Sequence, residues 1–330
     1  MFINSHLLPF IYILLLVGII LNNDIVSTLG VIMWLYLGLG AAFFLGIYNI
    51  NKKFAVRENG VAVVVCLTSC FICIMLLPVL ALRHSLNLDQ FAAFQFTPLT
   101  VSDHLLLMIK AAIMALSWLL GYLALKKLPI TFVAPIRASG PFFTLIGAIL
   151  LYQEIPNWLQ LIGFLLILFS AIFYAQVGKL EGIDFLRNPY IACIIVATLL
   201  GAASGLYDKY IIQFHRLSPL TILFWVNLYI TIFTGLVIVV LKKYHKNCIL
   251  FSWRWSILLV SLFLILADFL YFTALQEPDA MISMLSAIKR SQLFITVFLG
   301  GYIFKEKNKR IKALPLIGLL IGIILILQAS

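Results

Sequence analysis

The sequence predicts an all-α polytopic membrane protein, with two inverted five-helix repeats behind one extra N-terminal helix. Three observations predict it. Of the 330 residues, 64% are hydrophobic and only 11% charged, too apolar a balance for a surface that faces water. The apolar residues gather into eleven runs of about the 20 residues that a helix needs to cross hydrocarbon. One stretch, residues 122–154, returns in altered form at 271–306, and a repeat of such apolar helices marks a duplicated membrane protein.

In order, the runs are 5–22, 28–50, 60–82, 103–125, 130–152, 157–176, 189–212, 218–241, 255–275, 279–303 and 312–328. They are read as helices because lipid offers no partner to backbone N–H and C=O groups, and they are too long and unbroken for barrel strands. The first is short and carries Pro9; with no basic segment ahead of it and no A-x-A site, it is expected to be a retained helix rather than a signal peptide. The expected division is therefore an extra helix in 1–27, a first repeat in 28–180 and a second in 181–330.

The copies match at four places in the same order. Ala42-x-x-x-Gly46 leads to Tyr48 and Asn49 as Gly201-x-x-x-Gly205 leads to Tyr207 and Asp208. Tyr122 to Leu125 and Pro129 precede Arg137 and Ser139, as Tyr271 to Leu275 and Pro278 precede Lys289, Arg290 and Ser291. Tyr152-Gln153-Glu154 answers Phe304-Lys305-Glu306, and Leu161-Ile162-Gly163 answers Leu316-Ile317-Gly318. Five helices is an odd number, so the second copy enters the bilayer upside down relative to the first.

Sixteen Lys and Arg residues fall in loops on one side, from Lys52, Lys53 and Arg57 through to Lys305 to Lys312, against Arg83 and Arg216 on the other. That asymmetry predicts an inner (plasma) membrane protein with the first side and the N-terminus in the cytoplasm and the C-terminus outside. The net charge of +11 is thus spent on loops near lipid headgroups, and no nucleic-acid partner is expected. Cys66, Cys70, Cys73 and Cys193 lie inside apolar runs and Cys248 in a basic loop, so neither a disulfide framework nor a metal site is indicated.

The matched parts resemble the drug/metabolite transporter superfamily, specifically its EamA-type members. Their repeat has an Ala-Leu turn before a proline (Ala124-Leu125 to Pro129, Ala274-Leu275 to Pro278) and a helix with an internal proline (Pro141). That helix has a glutamate end (Glu154, Glu306), and the next opens on an apolar-Gly pair (Ile162-Gly163, Ile317-Gly318). The resemblance covers about residues 28 to 328. It implies a carrier fold and a structural role for Glu154 and Glu306. The family's usual form has ten helices, one fewer than counted here. The second copy has Leu293 where the first has Pro141, so only the first of these two helices is expected to kink.

Charges inside spanning helices are the functional candidates, since each costs about 2.5 to 3.5 kcal/mol to insert near the bilayer centre. Arg137 and Lys289 occupy matched positions that approach the midplane from opposite sides, flanked by Ser139 and by Arg290, and are expected to contact a substrate. Asp208 and Asp268 are candidates for gating or coupling, with Asp268 at a height that reaches Lys289 and Arg290. Lys110 is within two turns of its helix end and is expected to snorkel to the headgroups. Trp118, Trp225 and Tyr207 are candidate cavity residues, although aromatics near helix ends are more often interface anchors. No buried histidine, P-loop, nucleophile pair or metal cluster points to an enzyme or a cofactor.

The expected function is gradient-driven transport of a small metabolite by alternating access. The excess of buried cations favours an anionic substrate, with proton or counter-substrate coupling left open. The alternatives are an exporter of amino acids or drug-like cations on the same fold, and a membrane binding or assembly subunit that transports nothing.

Overall fold

A computed structural model describes residues 26–129, 133, 136–137, 139–179, 188–244, 250–303 and 309–328. The expected helix at 5–22 and Glu306 lie outside them. The described chain is helical throughout its ordered elements, and six of its helices are long and apolar enough to cross a membrane. The first copy runs α1 (Val26–Val56), α2 (Val61–Leu82), α3 (Val101–Lys127), α4 (Gly140–Tyr152) and α5 (Trp158–Lys179). The second runs α6 (Pro189–Lys209), α7 (Pro219–Tyr244), α8 (Trp255–Gln276), then α9 (Ile282–Ile288) and α10 (Gln292–Ile303) in place of one helix, and α11 (Lys309–Gln328).

Helix ends follow the local chemistry. Thr100 and Asp103 form a reciprocal capping box that starts α3. Asn188 caps α6 through the Tyr190 N–H, with Pro189 at the first helical position. Gln153, at φ 55, closes α4 in the left-handed conformation and hands the chain to Glu154. At the basic-loop end, Lys53 donates to the Leu125 and Leu128 carbonyls at 2.5 and 2.7 Å, and Lys126 to the Asn59 carbonyl at 2.6 Å. Arg254 lies beside Glu58 in the same group of loops and holds its carboxyl below the usual range.

The packing is that of a pseudo-two-fold. Exchanging the copies turns the α1–α8 contact into α6–α3, α1–α10 into α6–α4, and α2–α8 into α7–α3; all of these contacts are present. The contacts α2–α7 and α5–α11 map onto themselves, so the axis passes through them. At the last, a Cβ on Gly322 would sit 2.6 Å from the Gly163 carbonyl oxygen, so the two backbones meet there without intervening side chains.

One expectation is corrected here. Both copies are interrupted at the matched position, not the first alone. Ser139 forms a turn ahead of α4, where Pro141 limits the helix start, and Lys289–Ser291 form a 3-10 turn between α9 and α10 with no proline involved. A 3-10 turn winds three residues per turn instead of 3.6, which re-aims successive side chains, and both Lys289 and Arg290 face the seam between the copies.

Candidate functional site

The seam encloses a cavity of about 190 Å³. Matched positions of the two copies line it: Leu45 and Ser204, Asn49 and Asp208, Trp118 and Asp268, Arg137 and Lys289, Thr144 and Thr296. The positions obey the two-fold, but the side chains do not, so the cavity has chemically different regions.

One region is built around two guanidiniums. Arg137 Nη2 lies 3.5 Å from the Ser117 hydroxyl, which itself donates to the Ala197 carbonyl at 2.8 Å. A Cβ at Gly121 would be 2.8 Å from Arg137 Nη1, and one at Gly140 would be 2.9 Å from Arg290 Nη2. These glycines let the two planar groups lie directly against helix backbones. Arg290 Nε is buried without a hydrogen-bond partner, and among the described residues neither arginine has a carboxylate partner.

The second region mixes signs. Lys110 pairs with Asp208 at 2.5 Å and donates to the Ser204 carbonyl and hydroxyl at 2.9 and 2.6 Å. Its side chain is 1% exposed, which overturns the expectation that Lys110 snorkels: α3 packs along α6, and the nearest polar groups are there rather than at the headgroups. Tyr271 donates to Asp208 Oδ2 at 3.5 Å, and Lys289 stands over the Tyr271 ring, 3.4 Å from its centroid. Asp268 lines the cavity with no ion-pair or hydrogen-bond partner among the described residues, so it is not joined to Lys289 in this conformation.

At the basic-loop end, the Lys52 ammonium lies 4.4 Å from the Tyr48 ring centroid and 5.1 Å from that of Tyr122, and the two phenols are joined at 3.0 Å. Asn49 donates to Gln292 at 2.8 Å, bridging the copies. At the other end, the copies are joined by the Glu154 carboxylate of the first, which meets Lys209, Ile282 and Ser283 of the second. The chain beyond Lys209 widens into a π-helical turn, Tyr210–Phe214.

Of the residues expected to form a site, Arg137, Lys289, Arg290, Trp118, Asp208 and Asp268 line this cavity. Ser139, Trp225 and Tyr207 do not line it. The Ser139 hydroxyl donates to the Ile136 carbonyl, Trp225 stacks on Tyr229 with His104 against its edge, and Tyr207 lies beside Tyr210. Lys52 was grouped with loop charges in the sequence; the signal for it is the i, i+4 spacing to Tyr48 on α1.

Two inverted bundles of membrane-crossing helices around a polar cavity at their seam define a membrane transporter of small molecules. The EamA-like transporter family model matches residues 32–176 and again 188–328, and the chain belongs to that family. A solved structure described as "Crystal structure of protein" superposes with a TM-score of 0.63 at 11% sequence identity, over 90% of this chain and 96% of its own, which is a likeness of fold. No curated protein matches the chain.

The position of Arg137 is testable through its glycine. Gly121→Ala crowds the far end of the long Arg137 side chain and meets Ala197 at ordinary contact distance, so it is expected to leave the unfolding temperature close to wild type while shifting the guanidinium and lowering transport several-fold. Unchanged transport in vesicles would show that the guanidinium does not act from this place.

Proposed function

We propose that the protein carries a small anionic metabolite by alternating access between its two inverted copies, driven by a gradient. The observation that carries this reading is the grouping of Arg137, Lys289 and Arg290 on one cavity with no ion-pair partner among the described residues. Counting Lys52 and Lys110, the cavity holds five cations against Asp208 and Asp268, an excess of three positive charges. Guanidinium forks match carboxylate and phosphate oxygens in pairs. The cavity is below the range of about 300 to 1,000 Å³ of drug-sized sites, which supports a metabolite over a drug-like cation. Asp268 takes Lys289 as its partner in the conformation that has released substrate and loses it when an anion binds. The loop charges favour an orientation with the Lys52 end of the cavity toward the cytoplasm, in the inner or plasma membrane.

Export of amino acids is the second reading, favoured by Asp268, whose carboxylate on the same cavity as the cations would suit the ammonium of a zwitterion. The test is reconstitution into vesicles loaded with a cell metabolite extract, with the released compounds identified by mass spectrometry. Phosphate- or carboxylate-bearing compounds are expected to leave, and Lys289→Gln or Arg290→Gln should slow them by about tenfold or more, the loss of one charge-assisted hydrogen bond. Release of cations alone, or flux indifferent to both substitutions, overturns the reading. No flux from folded protein would favour a binding or assembly role.

A further inference from the structure

We propose that Lys52 is a substrate-contacting residue, receiving an oxyanion at the basic-loop end of the cavity; the inference rests on the anion reading above. Helix α1 continues to Val56, so Lys52 belongs to the helix and sits one turn after Tyr48. Its neighbour Lys53 leaves the helix on another side and spends its ammonium on the free carbonyls at the end of α3. Lys52 instead forms part of the cavity wall, 5% exposed, with the ring faces of Tyr48 and Tyr122 against its ammonium. Among the described residues it has no carboxylate, hydroxyl or carbonyl partner.

Ring faces recover part of what an ammonium loses on leaving water, but a buried ion without a counter-charge remains costly. Arg137, on the same cavity, does not help, because it adds a like charge rather than a counter-charge. Arg137 in turn neighbours Arg290, which adjoins Lys289, so the cations form a ladder from the basic-loop end into the cavity. Like charges along one wall raise the energy of the empty cavity, and an anion moving between them lowers it. The two guanidiniums are held flat against Gly121 and Gly140, whereas Lys52 has a flexible stem and three rotatable donors that can follow an anion. Lys52 is therefore the rung that hands the anion between the basic-loop side and the arginines.

The test uses the full chain in nanodiscs of phosphatidylcholine alone, with inorganic phosphate as the probe, acetate as a second, carboxylate probe, sodium chloride as the ionic-strength control, and unfolding temperature as the readout. Wild type is expected to be stabilised by phosphate beyond the chloride control. Lys52→Met should unfold at or above the wild-type temperature without phosphate, since it removes a charge that has no partner. Its half-saturating phosphate concentration should rise about tenfold or more. Lys52→Arg should fall between the two. A Lys52→Met protein that unfolds earlier yet keeps the wild-type phosphate response makes Lys52 a packing residue and overturns the proposal. Wild type stabilised by added phosphatidylglycerol but not by phosphate assigns the site to a lipid headgroup, which also overturns it. Wild type indifferent to phosphate and acetate alike removes the anion reading itself, before any variant is compared.

Discussion

Glu154→Ala is expected to destabilise the protein by about 3 to 5 kcal/mol, the cost of breaking a buried ion pair from one side. The carboxylate is 7% exposed and serves both copies of the repeat. Its Oε1 accepts from Lys209 Nζ at 2.7 Å and from the Ile282 N–H at 3.0 Å, while Oε2 accepts from the Ser283 N–H at 3.1 Å and its hydroxyl at 2.5 Å. Ile282 and Ser283 open α9, whose first amides have no partner within the helix. Alanine at 154 leaves those amides and the Lys209 ammonium unsatisfied together. Glu154→Gln should cost less, because a neutral carbonyl still accepts from the amides. Glu154→Leu combined with Lys209→Met should cost less than Glu154→Ala alone, because no orphaned charge remains. Thermal or denaturant unfolding in one detergent orders the four proteins, and an alanine variant as stable as wild type would mean that the carboxylate does not join the copies.

The duplication and the burial of cations were legible in the sequence because both depend on what lipid forbids. Lys289 and Arg290 stand out since a charge has no bland place at mid-depth, and Arg137, nearer a helix end, stands out as the first copy's match to Lys289. The facing of each helix was not legible. In a soluble helix the polar side marks the surface, but here lipid and protein interior are equally apolar, so an inward residue and an outward one look alike. Trp225 and Tyr207 therefore could not be told from cavity residues, and Ser139 was not separable from a ligand until its bond to the Ile136 carbonyl was seen. Lys110 failed for a related reason. Its distance from the helix end pointed to the headgroups, and only the packing of α3 on α6 reveals that Ser204 and Asp208 lie within reach. Lys52 was hidden by a boundary, since an apolar run ending at residue 50 leaves it in a loop while α1 extends to Val56.

The Lys110–Asp208 pair gives the second large effect and separates holding the fold from working the site. Asp208→Asn removes the counter-charge from an ammonium that is 1% exposed, and the Ser204 carbonyl and hydroxyl that remain cannot replace it. A loss of about 3 to 5 kcal/mol is expected in unfolding. Lys110→Met together with Asp208→Asn deletes both charges, and most of that loss should be recovered, since no orphaned ion remains in the buried site. Transport then decides the role of the pair. Asp208 also receives the Tyr271 hydroxyl, and Lys289 stands on the face of the same ring, so the aspartate shares a partner with the cation proposed to meet the substrate. If that link matters, the double variant folds but carries little, and restoring stability does not restore flux. A double variant as active as wild type would confine Asp208 to holding α3 against α6.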